Sequence, residues 1–118
     1  MLTRPRLLLH LEGAVVFVLA LVAYWRIDGN WLLFVVLVLV PDIGMLGYVR
    51  DTRLGAATYN LFHTYAIPLL VAAAAVLTGA VLVQWLAVIW LAHIGVDRAM
   101  GFGLKYPTEF KDTHLGRL

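Results

Sequence analysis

Five ionisable side chains stand inside otherwise apolar stretches of this chain: Glu12, Asp42, His63, His93 and Asp97. Carboxylates and imidazoles together make a donor set suited to a divalent ion such as zinc, manganese or iron. The same groups can move protons as general acids and bases. Their spacing adds to their types. His93 and Asp97 are four residues apart, as are Tyr59 and His63, and Asn60 precedes His63 by three. On a helix each of these pairs shares a face. His114, in the polar run Lys111-Asp112-Thr113-His114, is a further candidate ligand. There is no cysteine, which excludes disulfides, thiolate metal sites and cysteine nucleophiles. No Ser-His-Asp order, phosphate loop or dinucleotide fingerprint is present.

The elements that hold these residues follow from composition. The chain has 118 residues, enough for one domain; 63% are hydrophobic and 14% charged, and the mean hydropathy is +0.89. A soluble fold this small cannot hide so much apolar surface, so the expected solvent is lipid. A spanning helix needs about 20 mostly apolar residues. Four such spans are predicted, at 7–25, 31–48, 56–77 and 80–99, making residues 1–100 an all-α, four-helix integral membrane bundle. Arg26 to Asn30 reads as a turn, and Arg50 to Arg53 as a loop. From Leu54 to Val96 there is no charged residue other than histidine. That length is about twice one crossing, so it must be a hairpin reversing near Thr78 and Gly79. Residues 101–118 are polar enough to form a short ordered cytoplasmic tail. The Arg4-Pro5-Arg6 start resembles a signal peptide, but His10 and Glu12 interrupt the apolar run and no small-residue cleavage site precedes Arg26; the first helix is expected to stay in place.

Of nine Lys and Arg residues, eight fall on one side of the four-span arrangement: Arg4, Arg6, Arg50, Arg53, Arg98, Lys105, Lys111 and Arg117. Only Arg26 falls on the other. The positive-inside rule then places both termini in the cytoplasm. Trp25, Trp31 and Trp85 mark the outer interface. With this topology, Glu12 is early in the first span, Asp42 late in the second, His63 early in the third, and His93 and Asp97 late in the fourth. Neighbouring helices are antiparallel, so all five lie in one layer near the cytoplasmic face. The net charge of +2 is scattered, with no basic stripe that would suggest nucleic acid.

Each residue has a plainer explanation. Glu12 is favoured near a helix N-terminus by the helix dipole. His10 sits at the membrane edge. Asp42 follows Pro41 and can satisfy backbone groups freed by a kink. His93 and Asp97, with Arg98 beside them, can be a structural pair, and His63 can hydrogen-bond across helices. None of these explains why four helices agree on one depth. Ionisable groups in spans are costly, about 2.5–3.5 kcal/mol each for Asp at a helix centre, and normally pair or line a wet cavity. One hydrogen-bonded network tying the bundle together is the strongest structural rival. Gly44-x-x-Gly47 and Gly95-x-x-x-Ala99 offer small residues for close helix contact, and Pro68 is expected to kink the third span one turn past His63.

Three segments, Pro41-Asp42-Ile43-Gly44-Met45-Leu46-Gly47-Tyr48, Tyr59-Asn60-Leu61-Phe62-His63-Thr64-Tyr65 and Trp90-Leu91-Ala92-His93-Ile94-Gly95-Val96-Asp97-Arg98, carry a resemblance, as does the tail from Gly101 to Pro107 and from Phe110 to Gly116. Together they resemble the domain of unknown function 4260 family of short bacterial membrane proteins, over nearly the whole chain. The resemblance implies a four-helix protein of a bacterial inner membrane and assigns no activity.

The reading of the residues is therefore a polar, cytoplasm-facing pocket. Asp42, His63, His93 and Asp97 are the candidate catalytic and metal-binding residues, with Glu12 and His114, and the tail residue Asp112, at its mouth. The expected use is metal-dependent hydrolysis or related acid-base chemistry on a lipid-soluble, membrane-associated substrate. The rivals are a small oligomeric proton or ion transporter, a redox protein with haem between His63 and His93, and a structural or partner-binding bundle.

Overall fold

The computed structural model describes residues 2–118. The described residues form helices α1 (Pro5–Arg26), α2 (Trp31–Leu37), a 3₁₀ helix (Val40–Val49), α3 (Thr52–Phe62), α4 (Ala66–Thr78) and α5 (Val81–Met100). Grouped by direction they give four helical stretches long and apolar enough to cross a membrane: Pro5–Arg26, Trp31–Val49, Thr52–Thr78 and Val81–Met100. The architecture is all-α, and the described residues contain no strand beyond a single bridge between Lys105 and Thr113.

Local chemistry sets the ends. Asn30 caps α2 by accepting from Leu33 N–H at 3.1 Å, and Asp51 caps α3 by accepting from Leu54 N–H at 2.7 Å. Both satisfy donors that a helix start leaves free. The expected reversal falls at Gly79, whose φ of 73° suits the left-handed C-cap.

Helix α1 lies along α5, α3 against the 3₁₀ helix, and α4 against α5. The α1–α5 contact is a backbone approach. A Cβ on Gly13 would stand 2.7 Å from Gly95 O, and one on Gly95 would stand 2.8 Å from Phe17 N. His10 Nδ1 lies 2.9 Å from Ala99 O, tying the start of α1 to the end of α5. At the end opposite the termini, Tyr24, Phe34 and Ile89 form the apolar core with Trp31 and Trp85 around them. Val15, Val18, Val22, Val35, Leu70 and Leu82 point outward, as side chains do when lipid is the solvent.

Two spans are broken rather than continuous, which the hydrophobic pattern did not predict. The second turns from α-helix to 3₁₀ after Leu37. The cause is Pro41, which has no N–H to give to the carbonyl four residues back. Ten residues of 3₁₀ helix is a long run for that geometry. Gly44 lets it press on α3, where a Cβ would meet Thr58 O at 2.7 Å. The third span breaks at His63–Tyr65, earlier than the kink expected at Pro68. Pro68 sits in the first turn of α4, where a missing N–H costs nothing.

The tail is folded onto the bundle. Asn60 donates to Lys105 O (2.8 Å) and accepts from Lys105 N–H (2.6 Å). Thr52 donates to Pro107 O. Leu115 is fully buried, and Phe110 packs edge-on against Tyr48.

Candidate metal centre

Both backbone breaks lie at the depth of the polar layer, and each frees a carbonyl that a histidine then uses. In an unbroken helix His63 N–H would reach Tyr59 O. Here it bonds Asn60 O instead, and Tyr59 O is left for the His63 ring, 2.8 Å from Nδ1. The turn after α2 likewise presents Val38 O to His93 Nδ1 at 2.6 Å. A carbonyl only accepts, so in both rings Nδ1 carries the proton and donates it. In the neutral rings Nε2 is therefore the lone-pair atom.

The two Nε2 atoms are 3.0 Å apart. Asp42 Oδ1 is 3.1 Å from each of them. Asp97 Oδ2 is 3.3 Å from His63 Nε2 and 3.2 Å from His93 Nε2. Four lone-pair atoms from three spans, two of them on α5, converge on one point. That arrangement is repulsive by itself and attractive around a cation. A tetrahedron with metal–ligand bonds of about 2.0–2.1 Å has edges of about 3.3–3.4 Å, close to these five separations. Two carboxylates also bring the charge that a divalent ion would cancel. Both histidines are 2% exposed, and a third of the Asp42 side chain is exposed against 13% for Asp97.

The rings are held from behind. Tyr59 stacks on His63, centroids 3.8 Å apart and nearly parallel at 6°. Arg98 donates to His63 O at 2.9 Å, and Trp90 donates to Phe62 O at 2.6 Å. Such outer contacts fix the orientation of metal-binding imidazoles. The spacing arguments found Tyr59 as a neighbour of His63. They did not find the Val38 and Tyr59 carbonyls or the Arg98 anchor. Pro41 is the available signal for the first, since a proline withholds an N–H from the helix ladder.

Among the described residues, Asp42, His63, His93 and Asp97 form the group whose donor atoms all lie within 4.8 Å of one another. Glu12, expected at the mouth, is exposed on α1 and is outside the group. His114 is outside it as well: its Nδ1 accepts from Leu104 N–H at 2.8 Å. The Asp112 carboxylate is committed to Arg117 at 2.7–2.8 Å and accepts from Thr108. The tail meets the residues of the centre through Phe102 N–H, which donates to Asp97 O at 2.8 Å, and through Lys105 Nζ over the Tyr59 ring at 4.7 Å. Burial pushes the Lys105 ammonium pKa down. Burial, with Arg98 nearby, does the same to His114. The hydrogen bonds from Arg117 and Thr108 hold Asp112 at about 2. A haem between His63 and His93 does not fit. Its two axial nitrogens would stand on opposite faces of the macrocycle, whereas these are 3.0 Å apart with a carboxylate against both.

The sequence model of the family described as "Domain of unknown function (DUF4260)" matches residues 6–118. No curated protein matches the chain, and no solved structure does.

Proposed function

The chain belongs to the DUF4260 family, and we propose that it is a membrane metalloprotein whose Asp42, His63, His93 and Asp97 hold one divalent ion on the cytoplasmic side. The observation that carries this reading is the pair of histidine tautomers. Both Nδ1 protons are committed to backbone carbonyls, so both Nε2 lone pairs and two carboxylate oxygens face one another, all within 4.8 Å. Zinc suits the geometry best, with manganese and iron as alternatives that tolerate nitrogen and oxygen ligands.

The chemistry follows from which ligand is accessible. Bound there, a divalent ion would supply Lewis acidity and a water of lowered pKa. His63, His93 and Asp97 are enclosed and serve to hold. Asp42 is the most exposed of the four, so its carboxylate is the group placed to exchange with water and to accept a proton from it. Hydrolysis or related acid-base chemistry on a membrane-associated substrate is the reaction class this supports. Transport finds less support, because the expected polar layer is confined to one end of the spans.

The test is elemental analysis of protein purified without chelator, read together with its visible spectrum. About one divalent ion per chain and no haem absorbance is the expected result. No stoichiometric metal, and none gained on titration, would replace this reading with a proton-sharing hydrogen-bonded network.

A further inference from the structure

An apolar cleft of about 310 Å³ opens between the second span and helices α4 and α5. That volume is at the lower end of small-molecule sites, about 300–1,000 Å³. One end is walled by Pro41, Phe62 and Ile89. These are the residue before Asp42, the residue before His63, and the residue one helical turn before His93. From there the cleft runs along α5 to Val83. Val83 precedes His93 by ten residues, about 15 Å at 1.5 Å per residue. Val40, Val83 and Leu86 line it and are also exposed, so it is continuous with the lipid-facing surface.

The cleft therefore has a direction. The end walled by Pro41 and Phe62 lies at the depth of the Asp–His cluster, near the membrane face that carries the termini. The other end, at Val83, points into the bilayer. A lipid in the leaflet on that side has the same orientation, headgroup at the face and chain toward the middle. We propose that the cleft holds one hydrocarbon chain of such a lipid and so brings an oxygen-bearing headgroup, an ester or phosphoester, to the exposed Asp42 side of the cluster. This substrate class rests on the metal-centre reading and deepens it. The cleft aligns the chain, and the cluster engages the oxygen of the headgroup.

The experiment compares two metal-chelating probes in nanodiscs of fixed lipid content: acetohydroxamate, which has no chain, and dodecyl hydroxamate, which has one. Metal content is measured in the same samples. Leu86→Trp fills the cleft from its lipid-facing wall, and Val83→Trp does so further from the cluster should the first variant fold poorly. The expected result is that the variants keep the metal and bind acetohydroxamate as the wild type does. They should bind dodecyl hydroxamate about tenfold or more weakly, the loss from displacing about two methylenes from apolar contact. Unchanged binding of the long-chain probe in metal-loaded variants would overturn the cleft proposal while leaving the metal centre standing. Wild-type protein that takes up no metal and binds neither probe would overturn the centre itself.

Discussion

His63 and His93 are fixed by single carbonyl oxygens, and that makes their roles separable from general packing. Replacing either by alanine removes a proposed ligand while leaving the bundle's apolar contacts in place. His63→Ala and His93→Ala are expected to lower metal affinity by more than the roughly 10–100-fold typical of changes behind the ligands, with helical circular dichroism retained. His114 makes a different prediction. Its Nδ1 accepts from Leu104 N–H, so protonation removes the acceptor, and its pKa is lowered in the folded state by burial and by Arg98. The docked tail binds fewer protons than the free one, so His114 supports docking above its unfolded pKa of about 6.5. That support declines as pH falls. Protease cleavage at Lys111 should be slow at pH 7.5 and faster at pH 5.5; equal rates would show that His114 plays no part in docking. The four clustered residues were legible in the sequence because topology fixes depth. Glu12 shares their depth but stands outside their group, because depth says nothing about rotation around a helix axis. With α1 apolar on nearly every face, no pattern told which way Glu12 pointed.

At the scale of elements, the existence and order of the spans were legible from length and hydropathy, and their interruptions were not. An apolar run reads the same whether it is α-helix, 3₁₀ helix or a break. Only Pro41 hinted at a change, and the break at His63–Tyr65 comes before Pro68 rather than at it. These interruptions place irregular backbone at membrane depth, where it is tolerated because protein groups satisfy it: here the two imidazoles, Trp90 and Arg98. The small residues singled out by spacing do serve as contacts, and Gly95 tests how close. Gly95→Leu forces a side chain into the α1 backbone and should destabilise the bundle by about 1–3 kcal/mol or more, read as a lower thermal unfolding midpoint in detergent. The tail–bundle contact depends on Asn60, which pairs with both backbone groups of Lys105. Asn60→Ala leaves those groups without partners, at a cost of about 1–3 kcal/mol of docking, and should expose Lys105 and Lys111 to protease. Unchanged resistance would mean that Leu115 and Phe110 hold the tail on their own.

For the whole molecule, the eight-to-one division of basic residues sets the expected orientation. Reporter fusions after Arg53 and after Leu118 should read cytoplasmic, and fusions near Asp28 or Thr78 external. An external C-terminus would move the centre to the opposite membrane face. The organisation then has a simple logic: an aromatic core at one end, a polar centre at the other, and an apolar cleft running between helices from the centre into the bilayer. The central claim is that four lone-pair atoms are arranged around a single cation. It is tested most directly by titrating metal-stripped protein with cobalt(II) and following visible absorption, which reports four-coordinate geometry. The account predicts saturation at about one cobalt per chain, a tetrahedral spectrum, displacement by zinc, and no such signal in His93→Ala. Failure of the wild-type protein to develop the spectrum, or the same spectrum from His93→Ala, would contradict it.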